Sequence, residues 1–292
     1  MPNRTRQVGL YAFSLHGRAD TGVIDYQAFV TALAAIPPID RQTGVGDETV
    51  AVTLLEPSGP GRWTARFVTG LQGLPPLFYD PATGTESTAD LGNRFVASAS
   101  WAFIDTSTRI VLIDRSRPGV AVNVMARALS HLGRELGIEE GLVVSLNAVP
   151  SPGFLEELER YDRIRQASVV LTRPNYDWTD SSTQLSGYAD LSNAGTVDVL
   201  LSAGRGQSLS MDEGIIPDIK RLATRAVGPL KNLRITGKRR GETKETSVSL
   251  AKHQEKRFTP LPADADALAV RDTLARVADE LFTEVSLGQL EE

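Results

Sequence analysis

Apolar positions along the chain recur with a period near two in some stretches and about 3.6 in others, and the changes between them mark the predicted elements. The aliphatic and aromatic run from Val8 to Leu15 reads as a first strand. In residues 25–36, Phe29, Leu33 and Ile36 trace a helical stripe that Pro37-Pro38 closes. Strands follow at 48–55 and 62–69, joined by the turn sequence PSGPG. Residues 70–92 carry Pro75-Pro76, Asp80-Pro81 and much Gly, Ser and Thr, which predicts a long surface loop and a possible boundary.

The pattern sharpens in the centre. Residues 95–104 and 109–114 predict a hairpin, 119–136 an amphipathic helix ending near Gly137, and 141–147 another strand. A charged helix is expected over 153–163, where Glu156/Arg160 and Glu159/Arg163 are spaced to pair across one turn. Residues 167–172 and 197–202 are two further strands. The stretch between them reads as loop with at most one short helix.

A helix starting at Pro217 should stop at Gly228-Pro229. Two alternating runs follow around Gly241: Leu233 and Ile235 point one way, Arg234, Thr236, Lys238 and Arg240 the other, while Val248 and Leu250 supply the apolar face of the second run. Leu274, Val277, Leu281 and Val285 mark a C-terminal helix over 266–287, packed on the core or on a second protomer. These elements alternate without regular βαβ spacing. The expected fold class is α+β, with mostly antiparallel sheets, packed helices and a C-terminal helix. Residues 1–292 are expected to form one α+β chain, with the option of two lobes, one from 1–75 plus 175–292 and the other from 76–174.

Charge changes the picture more than bulk composition does. At 41% hydrophobic and 23% charged residues the chain is an ordinary globular one. All six lysines nevertheless fall between Lys220 and Lys256. Window 220–257 holds 12 basic residues against three acids, and the rest of the chain holds 19 against 33. Asymmetry of this kind points to a polyanion partner at one cationic surface. The candidate DNA-binding residues are Lys220, Arg221, Arg225, Lys231, Arg234, Lys238, Arg239, Arg240, Lys244, Lys252, Lys256 and Arg257. Only Phe258 among nearby residues is aromatic, so double-stranded DNA held through phosphates fits better than stacked single strands. No clustered base-reading set is visible, so sequence preference is expected to be low. Arg160, Arg163 and Arg165 lie outside the window and are expected to be dispensable for DNA retention.

Other chemistry is thinly represented. The chain has no cysteine, and His16, His131 and His253 are scattered, so neither a cofactor nor a metal is expected. Asp218-Ile-Lys220 and Glu242-Thr-Lys244 each fit the carboxylate-x-lysine tail of Mg²⁺-dependent nucleases, which is the enzymatic alternative. A helical first turn accounts for Asp218 more simply. Gly204-Arg205-Gly206 reads as a strand-to-helix turn rather than half a phosphate loop, and 127–138 as a core helix rather than the start of a helix-turn-helix. No apolar stretch reaches the length of a bilayer span, and the N-terminus reads as a strand rather than a signal peptide. A cytoplasmic protein is expected.

Two resemblances add to this reading. Residues 99–133, ASWAFIDTSTRIVLIDRSRPGVAVNVMARALSHLG, are similar to a strand–strand–helix segment of RdgC, a homodimeric ring that binds duplex DNA without sequence preference. More of the chain resembles RexA, the prophage-encoded exclusion protein of lambdoid phages. VGLYAFSL looks like that family's first strand, and VDVLLSAGRG, IIPDIKRLATRA, LRITGKRRGETKETSVSL and the terminal helix follow in its order. The resemblance implies DNA binding, self-association into a homodimer and a RexB-like membrane partner in superinfection exclusion. It transfers no single functional residue. The expectation is thus a non-enzymatic duplex-DNA-binding protein. The alternatives are a Mg²⁺-dependent nuclease and an interaction module for an acidic protein.

Overall fold

The structure, a computed structural model, describes residues 5–71, 76–89, 91–92, 94–172, 196–228 and 230–290. The expected loop 175–195 therefore lies outside the described residues. The chain opens with β1 (Thr5–Ala19), β2 (Gly22–Val23), α1 (Tyr26–Ala35), β3 (Gln42–Val45), β4 (Glu48–Gly59) and β5 (Arg62–Gly70). A small hairpin, β6 (Leu77–Asp80) with β7 (Thr85–Thr88), occupies part of the stretch expected to be loop. Next come β8 (Ser98–Asp105), β9 (Ile110–Asp114), α2 (Val122–Glu135) and β10 (Val143–Ala148). The last portion holds α3 (Pro152–Glu159), β11 (Tyr161–Thr172), β12 (Thr196–Ser202), α4 (Ile215–Ala223), β13 (Leu230–Arg239), β14 (Glu245–Ser249), β15 (Lys256–Pro262) and α5 (Ala267–Leu290).

The fold is α+β. Nine strands form one sheet whose main path runs β10-β1-β9-β8-β5-β4-β3, every neighbour antiparallel. The long β1 organises it. Its first half pairs with β15 and its second half with β10 along one edge, while β9 takes the other edge. Helices cover both faces. Phe29, Leu33, Met125, Leu129 and Leu132 of α1 and α2 pack on one face, and Leu274, Val277, Leu281 and Phe282 of α5 on the other. That double cover explains why β9, Ile-Val-Leu-Ile-Asp, is buried at every position instead of alternating. The apolar stripe of α5 is thus spent on this chain's own sheet.

A second sheet, in the order β12-β11-β13-β14, carries its own core. Phe154 and Leu158 of α3 and Ile216 and Ile219 of α4 bury against Ile164, Val169, Leu233, Ile235 and Val248. The division between sheets does not follow the lobes expected from sequence: β8, β9 and β10 of the central stretch pair with β1 or with each other in the first sheet. Buried Asn147 on β10 donates to Thr172 Oγ1 on β11 at 2.9 Å, and Gln254 donates to the Ala12 carbonyl at 2.7 Å, so polar contacts join the two sheets.

Several boundaries differ from the sequence reading; β4 runs on to Gly59 into the expected turn, and β11 begins six residues before the expected strand. Helix α3 ends at Glu159 and β11 begins at Tyr161, so Glu159/Arg163 cannot pair as a helical turn; Arg160 instead pairs with Glu157 at 3.1 Å. Helix α4 starts at Ile215, two residues before Pro217, and ends at Ala223. Proline is tolerated there because its missing N–H is one of the first-turn donors that lack a helical acceptor.

Candidate nucleic-acid interface

The hairpin β13–β14 forms as its alternation predicts, and antiparallel register extends that alternation across four strands. Ala167, Ile235 and Val248 line up on the inner face under α3 and α4, and exposed Leu201 continues the row on the edge strand. One residue along, Leu200, Ser168, Arg234 and Ser249 line up on the outer face, followed by Ser202, Gln166, Thr236 and Ser247. Small hydroxyl side chains keep this face low and polar, with Thr236 and Ser247 hydrogen-bonded at 2.9 Å and Gln166 donating to Ser202 at 3.3 Å. Arg234 stands exposed from the floor, and Lys238 follows two rows on.

A β-bulge enlarges the cationic end of that face. Ile164 pairs with Gly237 and Gln166 with Thr236, leaving Arg165 as the extra residue, and a second irregularity separates Tyr161 from Arg163. Bulges re-aim side chains, and here both Arg163 and Arg165 reach the same cleft of about 540 Å³. Arg205 and Lys238 complete a set of four cations, with Glu245 the one acid in the lining. Arg165 meets Glu245 at 3.3 Å, while Arg163 donates to the Gln207 carbonyl at 3.4 Å. The Gly204-Arg205-Gly206 turn forms the opposite wall, and Gly206 takes the left-handed backbone (φ 82°) that turn requires. Gly237 is a close-approach glycine: a Cβ there would lie 2.2 Å from the Arg163 carbonyl oxygen.

The twelve sequence-predicted residues do not form one surface. Lys231, Arg234, Lys238, Arg240 and Lys244 belong to the β13–β14 hairpin and its turn, where all but half-buried Lys238 are exposed. Arg239 is drawn aside by ion pairs with Glu157 and Glu242. Partial burial opposes its charge, but Glu157, Tyr161 and Glu242 outweigh that and hold its pKa above the ordinary arginine value. Lys220, Arg221 and Arg225 sit on or just after α4, which covers the inner face, so they lie on the far side of the sheet from Arg234. Arg221 is further occupied by Asp218 at 3.2 Å.

Lys252, Lys256 and Arg257 follow β14 towards and into the first sheet. There Lys256 lies 5.8 Å from the Tyr11 ring centre, and Arg257 is held by Glu284 and Glu280 of α5. Hydrogen bonding to Glu284 raises the Arg257 pKa further, which ties that charge to the fold.

Conversely, Arg163, Arg165 and Arg205 were outside the predicted set and belong to the cleft. Alternation over Tyr161–Thr172 was the available signal, masked by the helical pattern of the preceding residues. The nuclease alternative finds its residues separated: Asp218 bonds Arg221 on α4, and Glu242 pairs with Arg239 at the hairpin turn. Among the described residues no three His, Asp or Glu side chains gather as a metal site. No described helix is long and apolar enough to cross a membrane.

No curated protein matches the chain significantly. A family model does. It describes a domain of unknown function, DUF4747, and matches residues 80–249, which include all four strands of the second sheet and every residue lining its cationic cleft. With more than half of its length matched in this way, the chain belongs to the DUF4747 family.

Proposed function

We propose that the protein binds double-stranded DNA without sequence preference, through the outer face of the second sheet, and performs no catalysis. The observation that carries the reading is the convergence of Arg163, Arg165, Arg205 and Lys238 on one cleft, continued along the same face by exposed Arg234. Four cations against one carboxylate suit a phosphodiester backbone. The face offers hydroxyls and guanidinium groups on a rigid sheet but no cluster of Asn and Gln for base edges, which favours backbone contact over base readout. The order of segments shared with RexA-like proteins supports a role in exclusion of superinfecting phage by a prophage, as a homodimer and with a RexB-like membrane partner.

The test is fluorescence anisotropy with a labelled duplex of about 20 base pairs, long enough to cover a module of this size. Charge reversal at Arg163, Arg234 and Lys238 should abolish retention at physiological salt. Reversal of exposed Arg6, Arg94 and Arg276, none of which lies on a strand of the second sheet or lines its cleft, should leave affinity within a few-fold. Equal losses from both triple variants, with both still folded by circular dichroism, would sink the reading. Phage plating on cells expressing the first variant then reports whether exclusion depends on the same surface.

A further inference from the structure

A separate cleft of about 730 Å³ opens between the two sheets. Arg115 and Arg117 enter it from the loop after β9, Arg127 from α2, and Lys231 from the start of β13. Its lining contains no carboxylate. None of these four side chains forms an ion pair among the described residues, although each is exposed and charged. The nearest acid in sequence, Asp114, is buried and turned into its own loop, where it accepts from the Ser116 amide at 2.8 Å and from the Ser116 hydroxyl. Three chain segments thus bring like charges to one concavity without internal compensation. Such an arrangement is unfavourable in the free protein and is relieved by an anion.

The cleft is also the right size and character for more than a bare ion. Its volume falls within the roughly 300–1,000 Å³ of small-ligand sites, and such sites combine an apolar floor with a few placed polar groups. Phe13, Val120, Val144 and Leu146 supply the floor. The loop bearing Arg115 and Arg117 is firmly held, since the Val120 amide donates to buried Ser100 Oγ at 3.0 Å and Arg115 lies 5.0 Å from the Tyr11 ring centre. Arg127 projects from the first turns of α2, a fourteen-residue helix whose N-terminus has no side-chain cap and no acid in its first turn. That end adds partial positive charge to a site the side chains already define.

We propose that this cleft binds a nucleotide, its phosphates held by Arg115, Arg117, Arg127 and Lys231 and its base and sugar resting on the apolar floor. The site is distinct from the outer face assigned to DNA and does not depend on that assignment. The probe is the fluorescent ATP analogue mant-ATP, with tripolyphosphate as competitor. Wild-type protein should bind mant-ATP saturably, and tripolyphosphate should displace it. Arg117→Glu with Arg127→Glu should weaken binding at least ~tenfold, as expected when charge-assisted contacts become repulsive. Arg127→Gln alone should give a smaller loss, which covers the case of a misfolded double variant. Arg234→Glu with Lys238→Glu should leave mant-ATP binding unchanged whether or not it abolishes duplex binding. Failure of wild-type protein to saturate would overturn the proposal. So would full retention by the double variant, or a double variant that loses the duplex while binding mant-ATP normally, for the cleft would then be part of the DNA surface.

Discussion

At the scale of single residues, the groups that decide behaviour are those whose charge or shape the fold opposes. His16 on β1 is 2% exposed and bonded through Nε2 to Ser14 Oγ at 2.9 Å. Burial, and then the positive charge of Arg109, lower its pKa from the ordinary 6.5 to about 4. The unfolded chain therefore takes up the proton first. The native state loses stability as pH falls from about 6.5 towards about 4, by roughly 3 kcal/mol if the whole shift is expressed. His16→Gln should flatten this part of the stability profile. Urea midpoints for both proteins at about pH 7 and about pH 4.5 should converge at the lower value if His16 is responsible. A wild-type midpoint that falls no further than the variant's would refute the assignment. The sequence shows that His16 is isolated from other histidines; that it is buried, and hence neutral, required the packing of β1 between β9 and β10.

At the scale of elements, β11 carries the most consequence. Two of its irregularities against β13 bring Arg163 and Arg165 to one cleft, and the close contact at Gly237 is what lets the strands meet there. Gly237→Ala would place a methyl group 2.2 Å from the Arg163 carbonyl oxygen and force β11 away. The expected cost is about 1–3 kcal/mol, typical of overpacking against backbone that cannot yield. Because the displaced backbone bears the cationic side chains, DNA affinity should fall together with the urea midpoint. Loss of stability with unchanged affinity would place the DNA elsewhere. The hairpin itself was legible, since alternation of Leu233 and Ile235 with Arg234 and Lys238 is a local property. The cleft was not, because residues 153–163, with acids and arginines spaced one turn apart, satisfy helical spacing over part of their length. Only pairing with β13 decides where the strand begins.

At the scale of the whole molecule, the basic window divides among three surfaces. Charge counted along the chain groups cations that the fold separates: Lys220, Arg221 and Arg225 lie behind the sheet, and the C-terminal helix neutralises Arg257. It also leaves out Arg163, Arg165 and Arg205, which the fold brings to one cleft with Lys238. The proposed surface contains about six cations, so log K against log[salt] should slope about −5 per protomer, at roughly −0.9 per phosphate contact. A dimer, read as a scattering mass near twice 31.5 kDa, should double that slope on a duplex long enough for both subunits. A slope near zero would mean that phosphates are not the ligand.

The sequence by itself determined the class of fold and most of the local elements, because strand alternation, helical stripes and turn residues act over a few neighbours. It also determined that the chain carries a concentrated positive charge. Which cations share a face depended on register, bulges and the side of the sheet that each helix covers. Those relations join Arg163 to Lys238 and Arg115 to Lys231 across long intervals of chain, and they follow from burying two faces of one sheet and one face of another. The period of β11 and the allegiance of β8 to β10 were settled by that burial, which no window of sequence contains.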